Sequence, residues 1–209
     1  KMLKNKWTFY HIYKIVAPLL ALLLTACATM PASKSANNQT ITWTKRESQL
    51  LTLTHWQANG AMSIKQNNKA TSASLYWTQQ GQNNYTINLQ GPLGTGAMKI
   101  TAQPGKVTLL QADKQPQSAS TAEALLKAQT GWYLPISNLY YWVRGLPVPN
   151  VPANKKYDQY HHLQSLQQQG WLINYQRYTA VNNLDLPSKL ILQKKPFTIK
   201  IIISQWKPK

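Results

Sequence analysis

Alternation constrains this chain more than any other feature. Trp56, Ala58, Gly60, Met62 and Ile64 recur at every second position, and the same period returns in Ala73, Leu75 and Trp77, in Tyr85, Ile87 and Leu89, in Met98, Ile100 and Ala102, and in Phe197, Ile199, Ile201 and Ile203. Residues two apart share one face of a β-strand, so each run has an apolar side and a wet side. A chain that repeats this pattern has to build a sheet with one face covered. The segments between the early runs, Gln66-Asn67-Asn68, 79–84 and Gln103-Pro104-Gly105-Lys106, are short and polar. They fit hairpin turns and are too short for a crossover, which makes the sheet an antiparallel meander. Further strand-like runs cover 107–111, 157–166, 170–178, 189–195 and 197–206. The expectation is a mainly β protein of about nine or ten strands.

The period changes in three places. Trp43, Leu50, Leu51 and Leu53 fit a short amphipathic helix within 41–53 after a Thr cap. Ser120-Thr121-Ala122-Glu123 has the order of a capping box, Leu125 and Leu126 supply an apolar stripe, and Gly131 is placed to end the helix. Pro135 permits a second start, with Ile136, Leu139, Trp142 and Val143 on one face before Gly145. Helices over 120–130 and 135–144 inside a β protein need an apolar surface to cover, and the buried side of the sheet supplies it. Whether that interior is a filled core or an open greasy cavity is not decided by spacing.

One turn is unusual. Gly91-Pro92-Leu93-Gly94-Thr95-Gly96 has proline second and glycine fourth, good type I chemistry, which leaves Leu93 at the tip. Burying a leucine is worth roughly 1.5–3 kcal/mol, so Leu93 either folds back onto the domain or meets a partner or a membrane.

The first residues bear on that choice. Lys1, Lys4, Lys6 and Lys14 precede an apolar run over 15–24 that is too short to span a bilayer comfortably, and small residues follow, the order of a secretory signal. Leu24-Thr25-Ala26-Cys27 resembles the lipobox of bacterial lipoproteins, and Cys27 is the chain's single cysteine. The expected organisation is a signal peptide at 1–26, a lipidated tether at 27–40 rich in Ser, Thr, Ala and Asn, and one domain at 41–209. Each buried acyl CH₂ adds about 0.8 kcal/mol, so several chains hold a protein on a bilayer almost irreversibly. Ala28, in place of Asp after the cysteine, points by the same resemblance to the outer membrane.

Composition excludes other classes. Against 23 basic residues stand five acids, Glu47, Asp113, Glu123, Asp158 and Asp185, for a formal charge of +18. So few carboxylates argue against a carboxylate metal site or a paired acid/base site. His161 and His162 are adjacent, and in a strand they would point to opposite faces and hold no shared metal. Motifs of hydrolases, zinc proteases and P-loop proteins are missing, so no enzyme is expected. An address outside the cytoplasm makes nucleic acid an unsuitable partner, despite the basic charge and the aromatics.

Several short segments then line up with a known family. Trp77-Thr78-Gln79-Gln80-Gly81-Gln82 with Tyr85, Pro92-Leu93-Gly94, Ala102-Gln103-Pro104-Gly105, Gly131 with Leu134-Pro135-Ile136, Leu139, Trp142, Gly145-Leu146-Pro147, Gly170-Trp171 with Tyr175 and Tyr178, Leu186-Pro187 and Trp206 follow in order downstream of the lipobox. In this the chain resembles the LolB family of outer-membrane lipoprotein receptors. The resemblance implies an incomplete antiparallel β-barrel, a half-barrel of about ten strands, with a lid of two or three short helices over an apolar cavity. It implies a monomer, lipid-anchored in the outer membrane and facing the periplasm of a Gram-negative bacterium. Such a receptor accepts acylated lipoproteins from the periplasmic carrier LolA and inserts them into the membrane without ATP. No cofactor is implied beyond N-acyl and S-diacylglycerol groups on Cys27, and no metal. The acyl cavity or lid would comprise Met62, Ile64, Leu75, Trp77, Ile87, Leu89, Met98, Ile100, Leu125, Leu126, Leu139 and Trp142. Pro92, Leu93 and Gly94 would form the membrane insertion loop, which makes outward projection of Leu93 the expectation. A soluble-carrier-like or structural envelope lipoprotein of the same fold is the alternative.

Overall fold

The computed structural model describes residues 36–38, 40–94 and 96–209. The expected signal peptide, Cys27 and most of the 27–40 tether lie outside the described residues. Among the described residues, helix α1 (Trp43–Thr52) leads into strands β1 (His55–Gln66), β2 (Lys69–Gln80), β3 (Tyr85–Gln90), β4 (Met98–Gln103), β5 (Lys106–Gln111) and β6 (Gln117–Ala119). Helices α2 (Ala122–Thr130) and α3 (Ile136–Trp142) follow, then β7 (Ala153–Tyr157), β8 (Leu163–Gln168), β9 (Trp171–Val181), β10 (Leu184–Lys194) and β11 (Phe197–Pro208). The eleven strands form one antiparallel sheet in the order β6-β5-β4-β3-β2-β1-β11-β10-β9-β8-β7. It is open, with β6 and β7 as its edges, and β1 pairs with β11 to join the two meanders.

Register follows the alternation. Ala58 faces Trp77 and Trp77 faces Ile87, which faces Ile100, so one row of the sheet is apolar across four strands. On the β11 side Met62 faces Ile201 and Ile64 faces Ile199. These residues are buried, and the helices cover them with Leu125, Leu126, Ile136 and Leu139. Gly60 sits at a bulge in β1, and a Cβ there would overlap the Ile202 carbonyl oxygen, so only glycine allows β11 to approach this closely.

Several sequence expectations need correction. Eleven strands replace nine or ten because the edge strands β6 and β7 carry no alternation: Gln117-Ser118-Ala119 is all small or polar, and Ala153–Tyr157 contains Lys155 and Lys156, the charged dress of an exposed edge. The run expected as one strand over 157–166 is a hairpin. Asp158 turns the chain by accepting hydrogen bonds from the N–H groups of Tyr160 and His162, both at 2.9 Å, and His161 adopts φ 59°. His161 and His162 are therefore not strand neighbours on opposite faces; His161 is exposed and His162 is buried in a polar cluster. The capping box at 120–123 does not form either. Thr121 is the N-cap of α2, accepting from the Ala124 N–H at 3.2 Å, and the Glu123 carboxylate instead accepts from the Ser137 N–H at 2.8 Å in the first turn of α3. One acid thereby ties the two lid helices together.

Candidate functional site

The β3–β4 turn is built differently from the type I expectation. Residues 91–94 form a β-turn closed by Gly94 N–H to Gly91 C=O at 3.1 Å. Leu93 has φ 55° and ψ 27°, the left-handed conformation that glycine or asparagine usually occupies at this place. Its side chain is fully exposed, at 104% of its reference area. The largest apolar side chain of the turn thus sits in a backbone conformation that costs a leucine about 1 kcal/mol, pointing into water.

Behind the turn lies a hollow of about 200 Å³, lined by Met62, Ile64, Ala73, Leu89, Met98 and Trp132 with the backbone of Gly91 and Pro92. Deeper under the lid, Met62, Leu75, Trp77, Ile87, Leu89 and Ile100 of the sheet meet Leu134, Ile136 and Leu139, with Ile201 closing the side. The space left in that seam is about 10 Å³, at the limit of one water molecule. Its lining side chains are all apolar apart from the indole N–H of Trp77, which is taken up by Gln79 at 2.7 Å. Tyr85 lines a separate hollow that shares Trp77 and Ile136 with the seam, and burial pushes its phenol well above its ordinary pKa, with Glu123 adding to the shift.

The opposite flank carries most of the buried polar side chains. His162 is held between carboxylates, Nδ1 to Asp158 at 2.8 Å and Nε2 to Asp185 at 3.0 Å, and its ring stacks on Tyr178 with centroids 4.4 Å apart. Arg46 approaches Asp185 at 3.8 Å and donates to the Tyr160 carbonyl at 2.9 Å. Burial alone would raise the Asp185 carboxyl, but hydrogen bonds from His162 and from the Asn37 N–H outweigh it and hold the pKa below the ordinary value. Arg144, also buried, donates to the Leu53 carbonyl at 2.7 Å and the Tyr140 carbonyl at 2.9 Å, and lies 4.0 Å from the Tyr140 ring. It thereby joins the end of α3 to the last turn of α1, and burial pushes its guanidinium pKa down. Among the described residues no group of three or more His, Cys, Asp or Glu is arranged to hold a metal ion.

With this geometry in hand, comparison with known proteins is decisive. The family model described as "Outer membrane lipoprotein LolB" matches residues 54–206. The chain belongs to the LolB family. It is 39% identical to the outer-membrane lipoprotein LolB of Coxiella burnetii (strain Dugway 5J108-111) over 196 residues, covering 93% of this chain and 92% of that protein. Against the LolB of Stutzerimonas stutzeri (strain A1501) identity is 37% over 197 residues, covering 93% and 95%. A LolA superfamily protein from Nitrosomonas europaea has the same fold, with a TM-score of 0.52 at 8% identity, covering 81% of this chain and 94% of the other. The open sheet with three helices is thus the half-barrel of the LolA and LolB proteins.

In this LolB-family chain the structure gathers most of the residues expected to form a cavity or lid, but around two spaces rather than one. Met62, Leu75, Trp77, Ile87, Leu89, Ile100 and Leu139 surround the sealed seam, and Ile64 and Met98 join Met62 and Leu89 around the outer hollow. Leu125 and Leu126 are buried in α2 and line neither. Trp142 is directed elsewhere: its indole donates to Gln168 at 3.0 Å and packs by Trp171. Pro92 and Gly94 frame Leu93, and Cys27 lies outside the described residues. The expected lining omitted Trp132, Leu134 and Ile136; Trp132 and Leu134 lie in the non-periodic link before Pro135, and Ile136, expected on the covering face of its helix, also lines the seam.

Proposed function

We propose that this protein is an outer-membrane lipoprotein receptor, anchored through acyl groups on Cys27 and facing the periplasm, that takes lipoproteins from the carrier LolA and inserts them into the inner leaflet. Several acyl chains moved through water would cost tens of kcal/mol at about 0.8 kcal/mol per CH₂, so transfer needs a continuous apolar path. The seam under the lid is lined by such surface, yet at about 10 Å³ it falls far below the roughly 300–1,000 Å³ of ordinary ligand pockets. The closed form therefore has to open, by α2 and α3 lifting as the pair that Glu123 ties together, before a chain enters.

The observation that carries the reading is Leu93: fully exposed, held in a costly backbone conformation, at the rim of an apolar hollow. Strain retained at an exposed apolar tip is expected where the tip has work outside the domain. Replacing Leu93 with Glu should leave stability within about 0.5 kcal/mol, as for other exposed sites, and cut delivery of a labelled lipoprotein to liposomes at least about tenfold. Delivery at the wild-type rate would remove Leu93 from the mechanism.

The nearly filled seam favours one other reading, a structural envelope lipoprotein with an ordinary core. Titration with a fluorescent acyl probe separates the two. Saturable uptake supports the receptor, and its absence supports the filled core.

A further inference from the structure

Asn37 and Asn38, ahead of α1, are bound to the domain. The Asn37 N–H donates to Asp185 Oδ1 at 2.6 Å, and the Asn38 N–H donates to Oδ2 at 3.2 Å. The Asn37 side-chain amide reaches the Asn182 carbonyl at 3.4 Å. Two successive backbone N–H groups converging on one carboxylate, with Asn38 at φ 53°, form the concave donor pair that binds anions well. The carboxylate is buried and held in place by His162 and Arg46, so the acceptor is fixed before the chain arrives.

The position of this contact matters as much as its strength. In β10, Asp185 lies about four residues before Lys189, and Lys189 shares a cross-sheet row with Ile202, Ala61, Ser74 and Gln90. Leu93 lies beyond Gln90 on the far side of that row. Roughly seven residues along the strands and four strand spacings across them put Asp185 about 30 Å from Leu93, at the other end of the sheet.

We propose that Asp185 clasps the chain at Asn37 and Asn38 and so sets the length of the leash between the lipid anchor and the delivering turn. The inference rests on the receptor reading, with Cys27 acylated and Leu93 meeting the bilayer. Cys27 is about ten peptide steps from Asn37, a span of at most about 35 Å and little more than the distance from the clasp to Leu93. With the clasp open the first fixed point moves to Thr42, the N-cap of α1, and the leash lengthens to at most about 50 Å. The closed clasp lets the Leu93 end meet the anchor's own membrane only with the leash near full extension, which costs chain entropy. The open clasp lets it reach down.

Two measurements on the full chain test this. In the wild-type protein the amides of 37 and 38 should exchange with solvent at least about tenfold more slowly than unbonded amides, as a charge-assisted bond implies. Exchange at the unbonded rate overturns the clasp, with or without an anchor. For reach, a fluorophore on Lys114→Cys, in the turn neighbouring Leu93, is read against vesicles of brominated phosphatidylcholine. The variant Asn37→Pro/Asn38→Pro lacks both donors and leaves Asp185 untouched. In the lipidated protein it should at least double the quenching seen with wild-type residues at 37 and 38, and in the Cys27→Ala chain it should change nothing. Equal quenching in the lipidated pair, or the same difference in the Cys27→Ala pair, overturns the leash. Mass spectrometry showing no acyl groups on Cys27 removes the receptor reading and the leash with it, while the exchange result still judges the clasp.

Discussion

The two flanks of the sheet are held together by different forces. Around β7–β11 and α1, buried side chains make directional bonds: Gln168 joins Trp142, Val148 and Val151, Tyr175 donates to the Trp142 carbonyl at 3.0 Å, Tyr178 donates to the Leu163 carbonyl at 2.7 Å, and Asp185 gathers His162, Arg46 and the entering chain. Around β2–β5 and the lid, burial is almost wholly apolar, and two spaces remain in the packing. Directional bonds specify one geometry and are costly to break, whereas apolar contacts can slide and re-form against another apolar surface. In the proposed receptor the two flanks would divide the work: the polar flank would be the frame that holds residues 37 and 38, and the apolar flank the part that opens and offers its surface to acyl chains.

The comparison breaks most severely at Asp185. Asp185→Asn leaves Arg46 without its buried counter-charge and His162 without one of its two carboxylate partners, and should lower the unfolding free energy by about 3–5 kcal/mol in urea. The pH dependence has a definite sign. Because the folded-state pKa of Asp185 is lowered, its contribution is fully present above the unfolded value near 3.9 and is lost as pH falls through the folded value. The gap between wild type and variant should therefore be constant from about pH 7 to 5 and close in the acid range below about 4. A gap that persists unchanged at low pH would show that shape, not charge, makes the hub.

Gln168→Leu tests whether the frame depends on its buried amide. The substitution removes the partner of the Trp142 indole at 3.0 Å, the Val148 N–H at 2.8 Å and the carbonyls of Val148 and Val151. Leaving several buried groups unsatisfied should cost about 3 kcal/mol, although leucine is the more apolar residue. Leu139→Ala makes the complementary test on the apolar flank. A buried leucine truncated to alanine costs about 2–5 kcal/mol, and beside a seam able to collapse the loss should fall near 2 kcal/mol. It should also enlarge the seam and speed uptake of an apolar fluorescent probe. Equal losses for Gln168→Leu and Leu139→Ala, without faster uptake, would erase the distinction between frame and lid.

The apolar flank was also the part most legible in sequence, and for a physical reason. Residues such as Trp77, Ile87 and Ile100 announce their burial through a period of two, and the row they form in the sheet is the row their spacing predicts. The buried polar groups of the other flank give no such periodic signal. Asp158, His162 and Asp185 are brought together by a turn and by pairing of strands distant in sequence, so neither their contact nor the buried imidazole could be read from spacing. Strands β6 and β7 were missed because an edge has only one neighbour to satisfy and needs little apolar surface. Trp142 shows the limit from the other direction: its helical phase marks it as buried but does not say that it faces Gln168 rather than the lid seam.

The smallest expected effect concerns Leu93, which belongs to the apolar flank but is packed by nothing that would explain its conformation. Asparagine tolerates the left-handed region because its short side chain can bond locally, so Leu93→Asn should relieve strain at φ 55° without losing buried surface. The expected result is a gain of about 0.5–1 kcal/mol, read as a rise of a few degrees in melting temperature, together with loss of delivery to liposomes. Stability and delivery moving in opposite directions would identify the leucine as a residue kept for its contact outside the domain. If Leu93→Asn instead lowers stability, the side chain contributes to the closed form, and the turn belongs with the lid rather than with the membrane.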